Sequence, residues 1–164
     1  MFATFLTLSL IILYGDILRL TWDDAYDFER KSFRAELRLV EKKTGKPKSL
    51  ALNSEASSAL RLLSQQTAPE LGAPLFRSRK TGRAIGRVQA YRIIRAAAEA
   101  LALACRVSCH SLRKTFGYFA WKKGVSPAVI MEIYNHSDFA VTRRYLGVSQ
   151  DDKNEVYAGM RFGV

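Results

Sequence analysis

The sequence predicts one mainly helical α+β domain, with a small three-stranded antiparallel sheet near its N-terminus. Length is the first reason: 164 residues make one domain with a real core and fall short of two ordinary ones. Punctuation is the second. Helix caps and stops recur from residue 53 onward, whereas apolar alternation is confined to residues 22–52. Composition is the third, since 48% apolar residues and only 4 prolines exclude disordered, collagenous and low-complexity classes.

The elements follow in order. Residues 3–20 read as a first helix. Trp22, Tyr26, Phe28, Phe33, Leu37 and Leu39 then alternate like strand residues, broken around Arg30-Lys31. Lys43-Thr44-Gly45-Lys46-Pro47 is a turn, because Gly tolerates positive φ and Pro cannot join a central strand. Leu50 and Leu52 complete the sheet. Asn53 or Ser54 caps a helix running to about Gln66, with Leu60, Leu62 and Leu63 inward. A loop with Pro69, Gly72 and Pro74 leads to Leu75-Phe76, and a basic, glycine-containing segment follows. An alanine-rich helix spans about residues 88–104. Ser108 caps a helix to Lys123, with Gly124 as its stop, and Ser126-Pro127 opens another that ends near Asn135. Ser137 caps a short helix carrying Phe139, Val141 and Thr142, and the tail from Ser149 is polar and then mildly apolar.

The charge balance is 26 Lys and Arg against 15 Asp and Glu, a net +11 spread along the whole chain. A folded domain this basic has a polyanion as its natural partner, most often nucleic acid. Cys105, Cys109, His110 and His136 match no zinc spacing, so the cysteines read as reduced thiols near a helix. The apolar opening MFATFLTLSLIILY lacks the basic n-region and the cleavage site of a signal peptide. Gly15-Asp16 stops it short of a membrane span, so it reads as a buried core helix. A basic membrane-surface protein using residues 1–14 is the rival reading from another class.

Chemistry concentrates in the last third. His110-Ser111-Leu112-Arg113 sets His and Arg three apart near a helix N-terminus, where the dipole and unpaired N–H groups favour an anion. His136 follows in Tyr134-Asn135-His136-Ser137, and Tyr145 closes Thr142-Arg143-Arg144-Tyr145. The intervals are 136 − 113 = 23 and 145 − 136 = 9 residues. HxxR, a second His in a turn, and T-x-x-Y at this spacing resemble the tyrosine recombinase (phage integrase) family. Upstream, Asp16-Ile17-Leu18-Arg19-Leu20-Thr21-Trp22-Asp23-Asp24 is similar to another of its segments. So is Lys42-Lys43-Thr44-Gly45-Lys46 followed by Ser49-Leu50-Ala51-Leu52, and so are Leu75-Phe76 and the basic loop. The resemblance covers nearly the whole chain in order.

That resemblance implies the fold of the family's catalytic domain and strand exchange on double-stranded DNA. Tyr145 is then the nucleophile, leaving a 3′-phosphotyrosine and a free 5′-hydroxyl. His110 is the general base, Arg113 binds the non-bridging oxygens, His136 donates to the phosphate, and Lys43 protonates the leaving 5′-oxygen. Asp16 is the acidic supporting residue. Lys42, Lys46, Arg79, Lys80, Arg83 and Lys114 are the expected DNA-contacting cations, and Arg143 and Arg144 contact phosphate or solvent. No metal or other cofactor is implied, because side-chain cations supply the charge.

One position departs from the pattern. The family has an arginine three residues before the acidic one, and Leu13 stands there. Arg19 lies six residues on, roughly 240° around a helix, and is no substitute. Losing such a donor costs about 2.7–4 kcal/mol of transition-state stabilisation. Three explanations stay open: a degenerate recombinase that binds DNA and cleaves poorly, an N-terminus truncated or altered from a longer chain, or a slip in the match. The family's preceding DNA-clamping domain has no counterpart in these residues. The resemblance further implies homo-oligomers on DNA, with Val156 to Phe162 available to dock on a neighbour. It implies a bacterial or phage-encoded protein of the cytoplasm, on the nucleoid when bound. The runner-up reading is a non-catalytic DNA-binding remnant or regulator of the same fold.

Overall fold

The computed structural model describes residues 14–42 and 44–160. Residues 3–13 of the expected helix over residues 3–20, Leu13 among them, and Lys43 therefore lie outside the described residues; in the described part that helix ends at Ile17. The chain divides into two compact units, residues 1–112 and 113–164.

The first unit opens with α1 (Tyr14–Ile17) and α2 (Trp22–Ala25). Trp22 is thus helical, not the strand residue its alternation suggested. Thr21 and Asp24 explain the difference by closing a capping box: the Thr21 amide and hydroxyl both donate to Asp24 Oδ2, at 2.7 and 3.1 Å. Four strands follow, β1 (Tyr26–Asp27), β2 (Ser32–Phe33), β3 (Glu36–Val40) and β4 (Pro47–Ala51). They pair antiparallel as two ladders, β1 with β2 and β3 with β4. The expected single sheet of three strands is therefore two two-stranded pieces. Arg34 donates its amide to Ala25 O, which continues the first ladder, and Leu52 donates to Ala35 O, which continues the second, so the chain passes from one ladder to the other at a bend on Ala35. In β3 only Leu37 and Leu39 face inward, the alternation expected of a half-buried strand.

Helix α3 (Ser54–Gln66) starts as its sequence dictates, with Asn53 Oδ1 accepting from the Ala56 amide at 2.8 Å. Leu60 and Leu63 are buried, but Leu62 is 54% exposed, because it lies a third of a turn off the inner stripe. Helix α4 (Arg87–Ala100) ends earlier than expected: Ala102 takes a left-handed φ of 50° and halts it. Ile17, Leu20, Trp22, Leu37, Leu60, Leu63, Leu75, Phe76, Ile93 and Ile94 are all 2% exposed or less and make the core.

The second unit is helical: most of α5 (Cys109–Lys122), then α6 (Pro127–Tyr134), α7 (Phe139–Leu146) and α8 (Gln150–Gly159). Ser108 Oγ accepts from the Ser111 amide at the start of α5. At its end Gly124, with φ of 83°, lets Val125 N–H reach Ala120 O and Gly124 N–H reach Trp121 O. Helix α6 has Ser126 at its N-cap and Pro127 in its first turn, and stops on left-handed Asn135, φ 53°. The cap of α7 is Asp138, whose carboxylate accepts from Ala140 N at 2.8 Å, not Ser137. Helix α8 was not foreseen at all. It has no buried residue, hence no apolar stripe to read, yet Ser149 and Asp152 close a capping box at its start. Ile130, Tyr134 and Leu146 form this unit's small core.

Among the described residues no helix is long and apolar enough to cross a membrane. No group of three or more His, Cys, Asp or Glu among them is placed to hold a metal ion. Cys105 and Cys109 are thiols.

Candidate functional site

In the first unit, Asp16 is 4% exposed and its Oδ1 accepts from the Lys42 backbone amide at 2.8 Å. That bond ties α1 to the mouth of the β3–β4 turn. Inside the turn Glu41, also buried, accepts from Thr44 Oγ1 at 3.0 Å and pairs with Lys48 at 3.1 Å. Its main chain exchanges bonds with Gly45 and Lys46, and Gly45 supplies the positive φ of 69°. Glu41 is thus the organiser of this turn; its burial gives no signal in the sequence. Lys42 and Lys46 are exposed there.

Arg79, Lys80 and Arg83 stand exposed on a second turn. Ser78 N–H donates to Arg83 O, Gly82 N–H to Ser78 O, and Ile85 N–H to Phe76 O, which folds this basic segment into a hairpin-like loop. His110 is exposed in the first turn of α5.

The second unit holds the other candidates, and Tyr134 gathers them. Arg113 on α5 is 6% exposed, with its guanidinium carbon 4.0 Å from the Tyr134 ring centroid. Its Nη2 donates to Tyr134 O at 3.1 Å. Tyr134 Oη in turn donates to Arg113 O. The Tyr134 ring stands edge-on to His136 at 5.3 Å and to Tyr145 at 5.4 Å, and those two rings are 5.4 Å apart. Three residues from three stretches of chain thus border one phenol: Arg113 on α5, His136 after α6, and Tyr145 on α7. Lys114, next to Arg113, is exposed.

Local sequence explains the convergence. Left-handed Asn135 reverses the chain, so that His136 N–H bonds Met131 O and the imidazole folds back over the end of α6. Thr142, fully buried, lies 2.9 Å from His136 Nδ1 through its hydroxyl and fixes the ring's rotation. Thr142 and Tyr145 are one helical turn apart, so α7 carries both on one side. Gly117 makes the room: a Cβ there would sit 2.7 Å from Tyr134 Oη. Burial pushes the Tyr134 phenol from its ordinary 10.0 up to about 12, against the opposing pull of the Arg113 cation. Tyr134 therefore stays a protonated donor at neutral pH.

Sequence reasoning missed Tyr134, Gly117 and the bond made by Thr142. The T-x-x-Y spacing was the available signal for Thr142. Nothing local marks Tyr134 or Gly117, which matter as a matched pair.

A model described as the phage integrase family matches residues 4–151. The probable integrase/recombinase YoeC of Bacillus subtilis (strain 168) is 42% identical over 83 residues, 51% of this chain and 45% of that protein. The chain thus spans about half the length of the curated relative it matches. The crystal structure of XerA recombinase has a TM-score of 0.76 at 19% identity, covering 98% of this chain and 60% of its own. XerH site-specific recombinase bound to palindromic difH substrate, a post-cleavage complex, has a TM-score of 0.74 at 16% identity. That match covers 94% of this chain and 44% of XerH. The fold is that of these recombinases.

Proposed function

The chain belongs to the phage integrase family, that of the tyrosine recombinases, and on that premise we propose that it cleaves and rejoins double-stranded DNA through Tyr145. The observation that carries the reading is the convergence of Arg113, His136 and Tyr145 on one ring. A phenol of ordinary pKa near 10 attacks at neutral pH only with a proton acceptor and local positive charge. His110 takes the phenol proton as Tyr145 Oη bonds to phosphorus. The bond from phosphorus to the 5′-oxygen breaks, and Lys43 gives that oxygen a proton. Arg113 neutralises the non-bridging oxygens, with His136 as a further donor. Rejoining runs the same transfers backwards from a new 5′-hydroxyl.

Asp16 supports Lys43 indirectly, by pinning the amide of the preceding Lys42. Lys42, Lys46, Arg79, Lys80, Arg83 and Lys114 are exposed and contact DNA phosphates in this reading. Affinity then falls steeply with salt. All 164 residues act as one catalytic domain, assembling as homo-oligomers on DNA in the cytoplasm or on the nucleoid.

The test uses a randomised pool of nicked suicide duplexes, in which cleavage traps the covalent adduct. The wild-type chain yields adducts that survive denaturation, and Tyr145→Phe yields none while binding the same pool. Adducts from the Phe variant would overturn the assignment. A second reading, a non-catalytic DNA-binding remnant, rests on Leu13 in the first arginine's place. It predicts no adduct from the natural chain, and recovery of cleavage in Leu13→Arg.

A further inference from the structure

We infer that Tyr134 is a positioning residue for DNA cleavage, one ring that sets the Arg113 guanidinium and the flanking His136 and Tyr145 rings in register. The inference rests on the reading of Arg113 and Tyr145 just given. It adds a residue that carries none of the reacting atoms.

A guanidinium on its flexible stem gives up rotamer freedom when held still. Here that ordering precedes any ligand. The Arg113 guanidinium lies on the Tyr134 ring at 4.0 Å, and Nη2 is anchored to Tyr134 O at 3.1 Å. The stacking face is fixed in turn, because Tyr134 Oη bonds back to Arg113 O and Gly117 leaves space for that oxygen. At 2% exposure the ring is shielded from water, which strengthens its attraction for the cation. The same burial, with the raised phenol pKa, keeps Tyr134 itself from competing as a nucleophile beside Tyr145.

The distinguishing measurement compares two forms of a duplex selected from the randomised pool. One has the natural phosphodiester at the cleaved position. The other has a methylphosphonate, which lacks one charged oxygen and so needs less from a guanidinium. Tyr134→Leu removes the stacking face and slows adduct formation at saturating DNA by roughly tenfold or more on the phosphodiester. On the methylphosphonate the same variant loses less than about threefold. Tyr134→Phe keeps the ring, loses the hydroxyl bond, and shows a smaller split of the same sign. It serves as the test if the Leu variant does not give a cooperative melting transition. Equal losses on both substrates, or a loss confined to DNA affinity, would reduce Tyr134 to ordinary packing and overturn the inference. A wild-type chain that traps no adduct on either substrate would overturn the catalytic reading itself, and the positioning role with it. Guanidinium nitrogen resonances of Arg113 supply the activity-free check: slow rotation in the wild type, averaged rotation in Tyr134→Leu.

Discussion

Arg113 and Tyr134 each hold the other's backbone, since the Arg113 side chain donates to the Tyr134 carbonyl while the Tyr134 hydroxyl donates to the Arg113 carbonyl. Their side chains stack between the two bonds. This reciprocal clasp joins α5 to α6.

Gly117 is the clasp's clearance. Gly117→Ala places a methyl 2.7 Å from Tyr134 Oη and 3.2 Å from the Tyr145 carbonyl oxygen. The expected cost is about 1–3 kcal/mol of stability, read as a lower denaturant midpoint at unchanged slope. Adding Tyr134→Phe removes the nearest atom, so the double mutant recovers more than about 0.5 kcal/mol relative to additivity. Strict additivity would show that the two residues do not share the space.

Thr142→Val keeps the buried volume and deletes the hydroxyl beside His136 Nδ1. The loss of that bond costs about 0.5–1.5 kcal/mol of stability, and adduct formation slows by up to about tenfold as the imidazole loses its fixed rotation. Fluorescence anisotropy on the same duplex should show unchanged affinity. A variant as fast as the wild type would remove Thr142 from the site.

The Tyr134 phenol titrates late. Its folded pKa is raised to about 12 against an ordinary 10.0, so the neutral form is favoured by folding. The stability this contributes is complete below pH 10 and is lost as pH climbs from 10 towards 12. Absorbance at the phenolate band should show a step near pH 12, and Tyr134→Phe should abolish it.

Asp152 behaves in the opposite sense. The Lys122 ammonium and the Ser149 amide hold its carboxyl at about 2, below the ordinary 3.8. The stabilisation is therefore present above pH 3.8 and disappears as pH falls from there through about 2. Carbon-detected titration should place the Asp152 midpoint near 2 and return it towards 3.8 in Lys122→Gln. Amide exchange in α8 should rise across the same range.

Several helix termini were legible because capping is local chemistry, although the cap of α7, the end of α4 and the start of α8 were not. Asn53, Ser108 with Gly124, and Ser126-Pro127 all sit where the sequence placed them. Trp22 was misread because an aromatic followed by alternating apolar residues mimics a strand until Thr21 and Asp24 are recognised as a cap. Helix α8 escaped for the complementary reason, a capped helix with nothing to bury. In the site, the spacing of Arg113, His136 and Tyr145 was readable. Their common neighbour was not, because Tyr134 earns its place through packing across α5, α6 and α7 rather than through any motif.

Asn135 narrows what this chain can become. The left-handed φ of 53° that returns His136 to the Tyr134 ring costs most side chains about 1–2 kcal/mol, and Gly, Asn and Asp bear it most cheaply. A lineage free to exchange the apolar residues of α6 is therefore biased at this position towards Gly, Asn and Asp. Mutational tolerance measured across residues 127–138 should show its narrowest point at a backbone dihedral and not at a reacting side chain.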